Sequence, residues 1–482
     1  MAHATVRRWL PLLLLALVTS GVAGGVLAYR HYHRDPTEDL YLRGVNALAH
    51  GDAATARNVA GLLRQKGDTA RSHLLEGRLW LGKAQRAQAH VHPAPPSGLA
   101  QQVGQLLLAG PGLEHIPTGL RPAAGLMSVL VQNPEPLPDA GQDELHQALA
   151  EFTQIQDEGD IGAEATRLAA KALRRLDGRF LAAAGLKALV ERRPDDLAAR
   201  QLLAAIYVDT LDATDAVVQL REWARLAATD GQPYRWMGWL LQEDDPAQAV
   251  AAYRQALQAN LPATMREDSA KELAGVLADR QHQFADALQA LNEVPSTEHE
   301  QPDVLLLRAR CLVGLDRFSE ARPLLDGLMH AQPDNPDALA WRARVDLEQG
   351  KAKTALSRLQ HAIAISPHLD SAQELLADIY DRLGQKRQAA QHRRLAKEGR
   401  LLRSQLESLS KRARASAWDD VLRYQVAARC VQLHRYDEAG RWLHAALACN
   451  PSDDYSRQLL AQLGLSQQAP LRIDVGLADG RP

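Results

Sequence analysis

The chain has 482 residues, 46% of them hydrophobic and 24% charged, with a net charge of −2. That balance belongs to a folded protein and excludes a disordered one, and it supplies no global field toward nucleic acid or acidic membranes. Aromatic residues make up only 5%, so helices packed closely through small side chains are favoured.

Residues 1–8 form a short basic N-terminus, and residues 9–29 (WLPLLLLALVTSGVAGGVLAY) carry no charge. Such a stretch matches the roughly 20 residues a helix needs to cross a bilayer. One reading is a retained single-pass signal anchor with Arg7 and Arg8 on the cytoplasmic side of a bacterial-type inner membrane and the bulk extracytoplasmic. The other is a cleaved signal peptide, because Val26-Leu27-Ala28 is a small-residue cleavage pattern. The anchor is the reading carried forward.

In 37–90, Gly44, Gly51 and Ala56 stand 7 and 5 residues apart, and Gly77, Trp80 and Ala89 begin a second unit. Residues 91–141 hold nine prolines, a density that prevents long helices. This insertion reads as an irregular connector or as a partner-docking loop. From Asp143 helical periodicity returns, and a main array is expected over 143–403. Ala321, Ala355 and Ala389 recur every 34 residues, with Ala249 and Ala287 at the same frame position, while Pro194, Pro262, Pro333 and Pro367 close four frames. Pro336–Leu369 is the most regular unit: two short helices meeting at Gly350, with Ala343, Ala355, Leu359 and Ala362 on the facing sides.

Pro367 and Pro451 are 84 residues apart, sixteen more than two periods. Across the excess, Leu395, Leu402, Leu406 and Leu409 make one helical seam, and a long helix or one broken at Gly399 is expected. Residues 404–419 read as a basic connector, 420–465 as a C-terminal repeat with a capping helix, and 466–482 as a disordered tail.

A 34-residue helix-turn-helix period resembles the tetratricopeptide repeat family. The resemblance implies an all-α solenoid, a right-handed superhelix of nine or ten helix pairs, extended and without an enclosed pocket. It also implies a concave groove lined by first helices, which grips a peptide or a partner helix. Carried onto this sequence, the groove positions are Tyr234 and Leu241, Leu306 and Arg310, Arg344, and Glu374 and Asp378. Arg310 and Arg344, one period apart, could hold a carboxylate of a bound peptide, or pair with Asp346 or Asp378. The Lys/Asn carboxylate clamp of chaperone-tail binders is missing from these positions.

Other chemistry is thinly supported. Lys386, Arg393, Lys397, Arg400 and Lys411 fall in a narrow arc opposite the leucine seam. They form either a basic stripe for an acidic partner or the solvated face of an amphipathic helix. No aromatic interleaves them, which removes base stacking, and no nucleic acid partner is expected. Cys311, Cys430 and Cys449 make no CxxC and are expected to be buried small residues. His31/His33 and His90/His92 lack any metal-site template. With no GxSxG elbow, phosphate loop or dinucleotide fingerprint, no enzyme, metal or cofactor is expected. The function expected is a membrane-anchored, non-catalytic scaffold for protein partners. An accessory subunit of an envelope biogenesis or secretion complex is the alternative, and an enzyme with a site in 91–160 comes third.

Overall fold

A computed structural model describes residues 36–89, 141–157, 159–294 and 301–465. The stretch 9–29, the insertion through residue 140 and the tail from 466 lie outside the described residues. Among those described, the chain forms 21 helices, and no helix is long and apolar enough to cross a membrane. It divides into two compact units, one ending at Leu176 and one beginning at Asp177.

Unit 1 contains α1 (Pro36–Ala49), α2 (Ala53–Gln65), α3 (Thr69–Ala89), α4 (Gln142–Thr153) and α5 (Asp160–Arg175). Helix α1 packs on α2, and α3 packs on α4. The repeat begun by Gly77 and Trp80 is therefore completed by a helix on the far side of the insertion. Gly77 permits the approach: a Cβ there would stand 2.7 Å from Cζ and 2.8 Å from Cδ1 of Phe152 in α4. Phe152 itself is buried in a cluster with Leu74, Leu145 and Leu168.

Unit 2 opens with α6 (Arg179–Arg192), α7 (Leu197–Asp209), α8 (Ala213–Leu226), α9 (Gln232–Leu241) and α10 (Pro246–Gln258). It continues through α11 (Ala263–Asp279), α12 (Phe284–Leu291), α13 (Pro302–Gly314), α14 (Phe318–Ala331), α15 (Pro336–Glu348) and α16 (Ala352–Ile365). The last elements are α17 (Asp370–Arg382), α18 (Lys386–Ala415), α19 (Asp420–Gln432), α20 (Tyr436–Cys449) and α21 (Asp454–Gln462). From α7 onward each first helix packs on its second, and each second on the next first.

The frame positions explain this regularity. Ala249, Ala287, Ala321, Ala355 and Ala389 are all fully buried, where a larger side chain would force the paired helices apart. Many first helices end on a residue with positive φ: glycine at Gly350 and Gly384, but also Asp177, Leu211, His282, Asp316 and His434. That left-handed residue lets the next helix reverse direction. Side-chain caps start several helices, with Asp196, Asp245, Asn335 and Asp419 accepting from the backbone N–H three residues on. Pro194, Pro262, Pro333 and Pro367 all fall between helices.

Of the two alternatives for the leucine-seam interval, the structure has the long one: helix α18 runs unbroken for 30 residues through Gly399. A Cβ at Gly399 would lie 2.7 Å from the His368 carbonyl oxygen, so glycine serves close approach. The sixteen extra residues simply lengthen this helix, which takes in residues 404–415. Contrary to expectation, unit 2 is not an open array. Its late helices return to its start, α18 packing on α8 and α20 on α6 and α7, and a half-open cavity of about 860 Å³ lies within the unit.

Candidate functional site

First helices α11, α13 and α15 supply one wall of the cavity, and α18 with the α19–α20 turn supplies another. Trp341 of α15 lines it. The guanidinium carbons of Arg310 and Arg344 lie 5.8 and 5.9 Å from its ring centroid, within cation–π range. Arg310 also pairs with Asp279 of α11. Behind this face, Arg342 is held by Asp326 at 2.6 Å and by Asp346, which in turn takes Arg358. The network fixes α15 against α14 and α16, and so fixes the angle at which Trp341 and Arg344 are presented.

Burial shifts the acids of the wall. Desolvation raises the Asp279 and Asp337 carboxyls above the usual range, although Arg310 opposes both shifts. Glu272 is pushed up to about 7 by burial, with Arg235 opposing. It accepts from Arg235 Nη2 at 3.3 Å, and a quarter of its side chain remains accessible. The wall thus combines Arg310, an indole and carboxyls whose pKa values burial raises. Such a surface can bind a polar segment through charge-assisted bonds and aromatic contact.

Of the groove positions expected from the sequence, Arg310 and Arg344 meet on Trp341. Arg310 takes Asp279 as its carboxylate, while Asp346 is engaged by Arg342 and Arg358. Leu241 and Leu306 are half-buried and pack into apolar clusters, so both contribute to packing. Tyr234 is half-buried, Asp378 is exposed, and Glu374 pairs with Arg400 of α18. In the basic stripe, all five residues are exposed. Arg393 pairs with Asp381 and Arg400 with Glu374, while Lys386, Lys397 and Lys411 make no ion pair among the described residues. Leu406 is buried in the seam, with Leu395, Leu402 and Leu409 half-buried. Cys311 and Cys430 are buried and Cys449 half-buried, all three free. Burial raises their thiols, that of Cys311 to about 11.

Two groups escaped the sequence reading. In unit 1, His73, Glu76 and Glu151 bring three ligand atoms within 4.8 Å of one another. They satisfy one another, His73 Nδ1 standing 2.7 Å from Glu151 Oε2, and Arg64 donates to Glu76 at 3.1 Å. The second group is the seam where unit 2 closes, built on Arg423, Leu211 and Trp418. Its one sequence signal was the sixteen-residue excess.

Residues 278–345 match the family model described as tetratricopeptide repeat. That stretch is similar to tetratricopeptide repeats. The match spans the end of α11 through most of α15, and therefore includes Arg310, Trp341 and Arg344. Similar solved structures include YrrB, a TPR protein with an unusual peptide-binding site, at 18% identity over 39% of this chain and 95% of that one, TM-score 0.34. PilW, a widely conserved type IV pilus biogenesis factor, is 17% identical over 40% and 88%, TM-score 0.33. MamA is 18% identical over 36% and 96%, TM-score 0.28. No curated protein matches the chain.

Proposed function

We propose that unit 2 is a protein-binding module that receives a partner segment on the face formed by Arg310, Trp341 and Arg344. The observation that carries this reading is the convergence of two arginines from successive repeats on one tryptophan, within the tetratricopeptide repeat stretch. Trp and Arg are the residue types that dominate binding energy at interfaces. Arg344 is exposed and makes no ion pair among the described residues, so it is open to a carboxylate. The segment favoured is acidic, with an apolar or aromatic residue to lie against the indole.

Anchorage belongs to the same proposal. Residues 9–29, preceded by Arg7 and Arg8, would hold the module at a bacterial-type inner membrane with the array extracytoplasmic. Its support is the uncharged length of that stretch. A photo-crosslinking amino acid at position 344, in cells, tests the binding reading. A discrete crosslinked protein that disappears in the Trp341→Ala background is expected. Absence of any product, or one indifferent to Trp341, refutes it.

A further inference from the structure

The seam that closes unit 2 joins elements about two hundred residues apart through one buried cation. Arg423 of α19 is fully buried. Its Nε donates to the Thr210 carbonyl at 2.5 Å, and its Nη1 donates to the Ser416 and Asp419 carbonyls, both at 2.9 Å. A planar guanidinium can hold three carbonyls in one fixed geometry, which a lysine cannot.

The three acceptors flank two unusual residues. Thr210 immediately precedes Leu211 (φ 53), and Ser416 and Asp419 bracket Trp418 (φ 60). The other non-glycine residues with positive φ among those described are aspartates and histidines, which tolerate that region. Leu211 and Trp418 are the apolar exceptions, and both lie at the seam. Leu211 inserts into the C-terminal cluster beside Leu406, Val426 and Leu443. Trp418 meets Phe180 of α6 edge-on, with centroids 5.4 Å apart. Strained backbone of this kind persists only where surrounding contacts over-determine it. Here those contacts come from the opposite end of the unit.

Trp239 of α9 adds an apolar contact to the C-terminal cluster, and polar pairs lie nearer the surface. Arg414 forks onto Asp244 at 2.9 and 3.1 Å, and Arg280 lies 3.7 Å from Glu407. A seam that combines one buried cation, two strained residues and salt-screened pairs is poised to part before the repeats themselves unfold.

We propose that this seam is a latch: Arg423 and the strained Leu211 and Trp418 hold α18–α20 against α6–α8, and release of the latch opens the cavity carrying Arg310 and Trp341. What the opened face receives rests on the binding reading above; the latch itself does not.

Hydrogen exchange followed by mass spectrometry on the full chain, without any partner, tests it. Arg423→Gln accelerates exchange by about tenfold or more at 206–213, at 416–426 and at the cavity-lining end of α11. The interior of α13 and α15 keeps wild-type protection. The milder Asp244→Asn, which weakens only a partly buried surface pair, moves the same peptides in the same direction by less, and raised salt reproduces its effect in the wild type. Uniform loss of protection across unit 2 in Arg423→Gln would make Arg423 a fold keystone and overturn the latch. So would seam peptides that stay unmoved in Asp244→Asn, which decides the matter if Arg423→Gln fails to fold. A latch that opens as described, with no crosslinked partner at position 344, would refute the binding reading and leave the latch standing.

Discussion

Gly77→Ala tests whether α4, beyond the insertion, completes the repeat begun by α3. In an exposed helix the change would stabilise by about 1 kcal/mol through propensity alone. Here the new Cβ would sit under 3 Å from atoms of the Phe152 ring, and that ring is only 4% exposed. It cannot swing aside without opening the cluster around it. Overpacking of a closed site costs about 1–3 kcal/mol, and contacts this short place the change at the upper end. The net expectation is destabilisation of about 1–2 kcal/mol after the propensity gain is subtracted. With two units in the chain a single melting midpoint is not a clean measure, so the assay is exchange protection of peptides from 69–89 and 142–153. Phe152→Leu removes the clash, and the pair should couple by about 1 kcal/mol or more. Gly77→Ala that increases protection in α3, with no coupling to Phe152, would refute the packing of α3 on α4.

Further expectations follow from individual contacts. Leu359→Ala empties a fully buried site and should cost about 2–5 kcal/mol, read as lost protection in α15–α17. Asn335→Ala removes the cap on the Ala338 N–H and should cost about 1 kcal/mol, confined to the start of α15. Asp346→Leu leaves buried Arg342 without its inner partner and should cost about 3 kcal/mol, whereas Arg342→Met with Asp346→Leu should cost much less. Glu272 binds its proton more tightly folded than unfolded. Its contribution to stability is therefore greatest below the unfolded carboxyl range and declines as pH rises toward about 7. Glu272→Gln should flatten that decline in a urea titration across pH 4 to 8, and an unchanged slope would contradict the assignment.

The period carried most of the fold. Alanines at one frame position and prolines between frames are local signals, since each repeat packs chiefly on its neighbours, and they put helix pairs where the structure has them. The turns were only half legible. Gly350 and Gly384 announce a left-handed residue, but Asp316 and His434 fill the same place without the glycine signature, so the period and not the turn residue marked those repeats. The second repeat was obscured because its helices are separated in sequence by the insertion. The role of Gly399 was not legible, because close approach of the His368 carbonyl leaves no trace in helical periodicity. Closure left only the sixteen-residue excess in the sequence: Arg423 and Thr210 share no frame, and nothing in a 34-residue period states how tightly successive repeats turn. The candidate site divides the same way. Arg310 and Arg344 followed from the period, while Trp341 had to be seen between them.

The closed state of unit 2 is tested most directly by a spin-label distance between positions 218 and 421. Val218 on α8 and Val421 on α19 are both exposed, and the native thiols, buried or half-buried with their pKa values raised, should label slowly. With Val218→Cys and Val421→Cys, one short and narrow distance distribution is predicted. A broad distribution at long distance would mean an open array, and the closure of unit 2 would not stand.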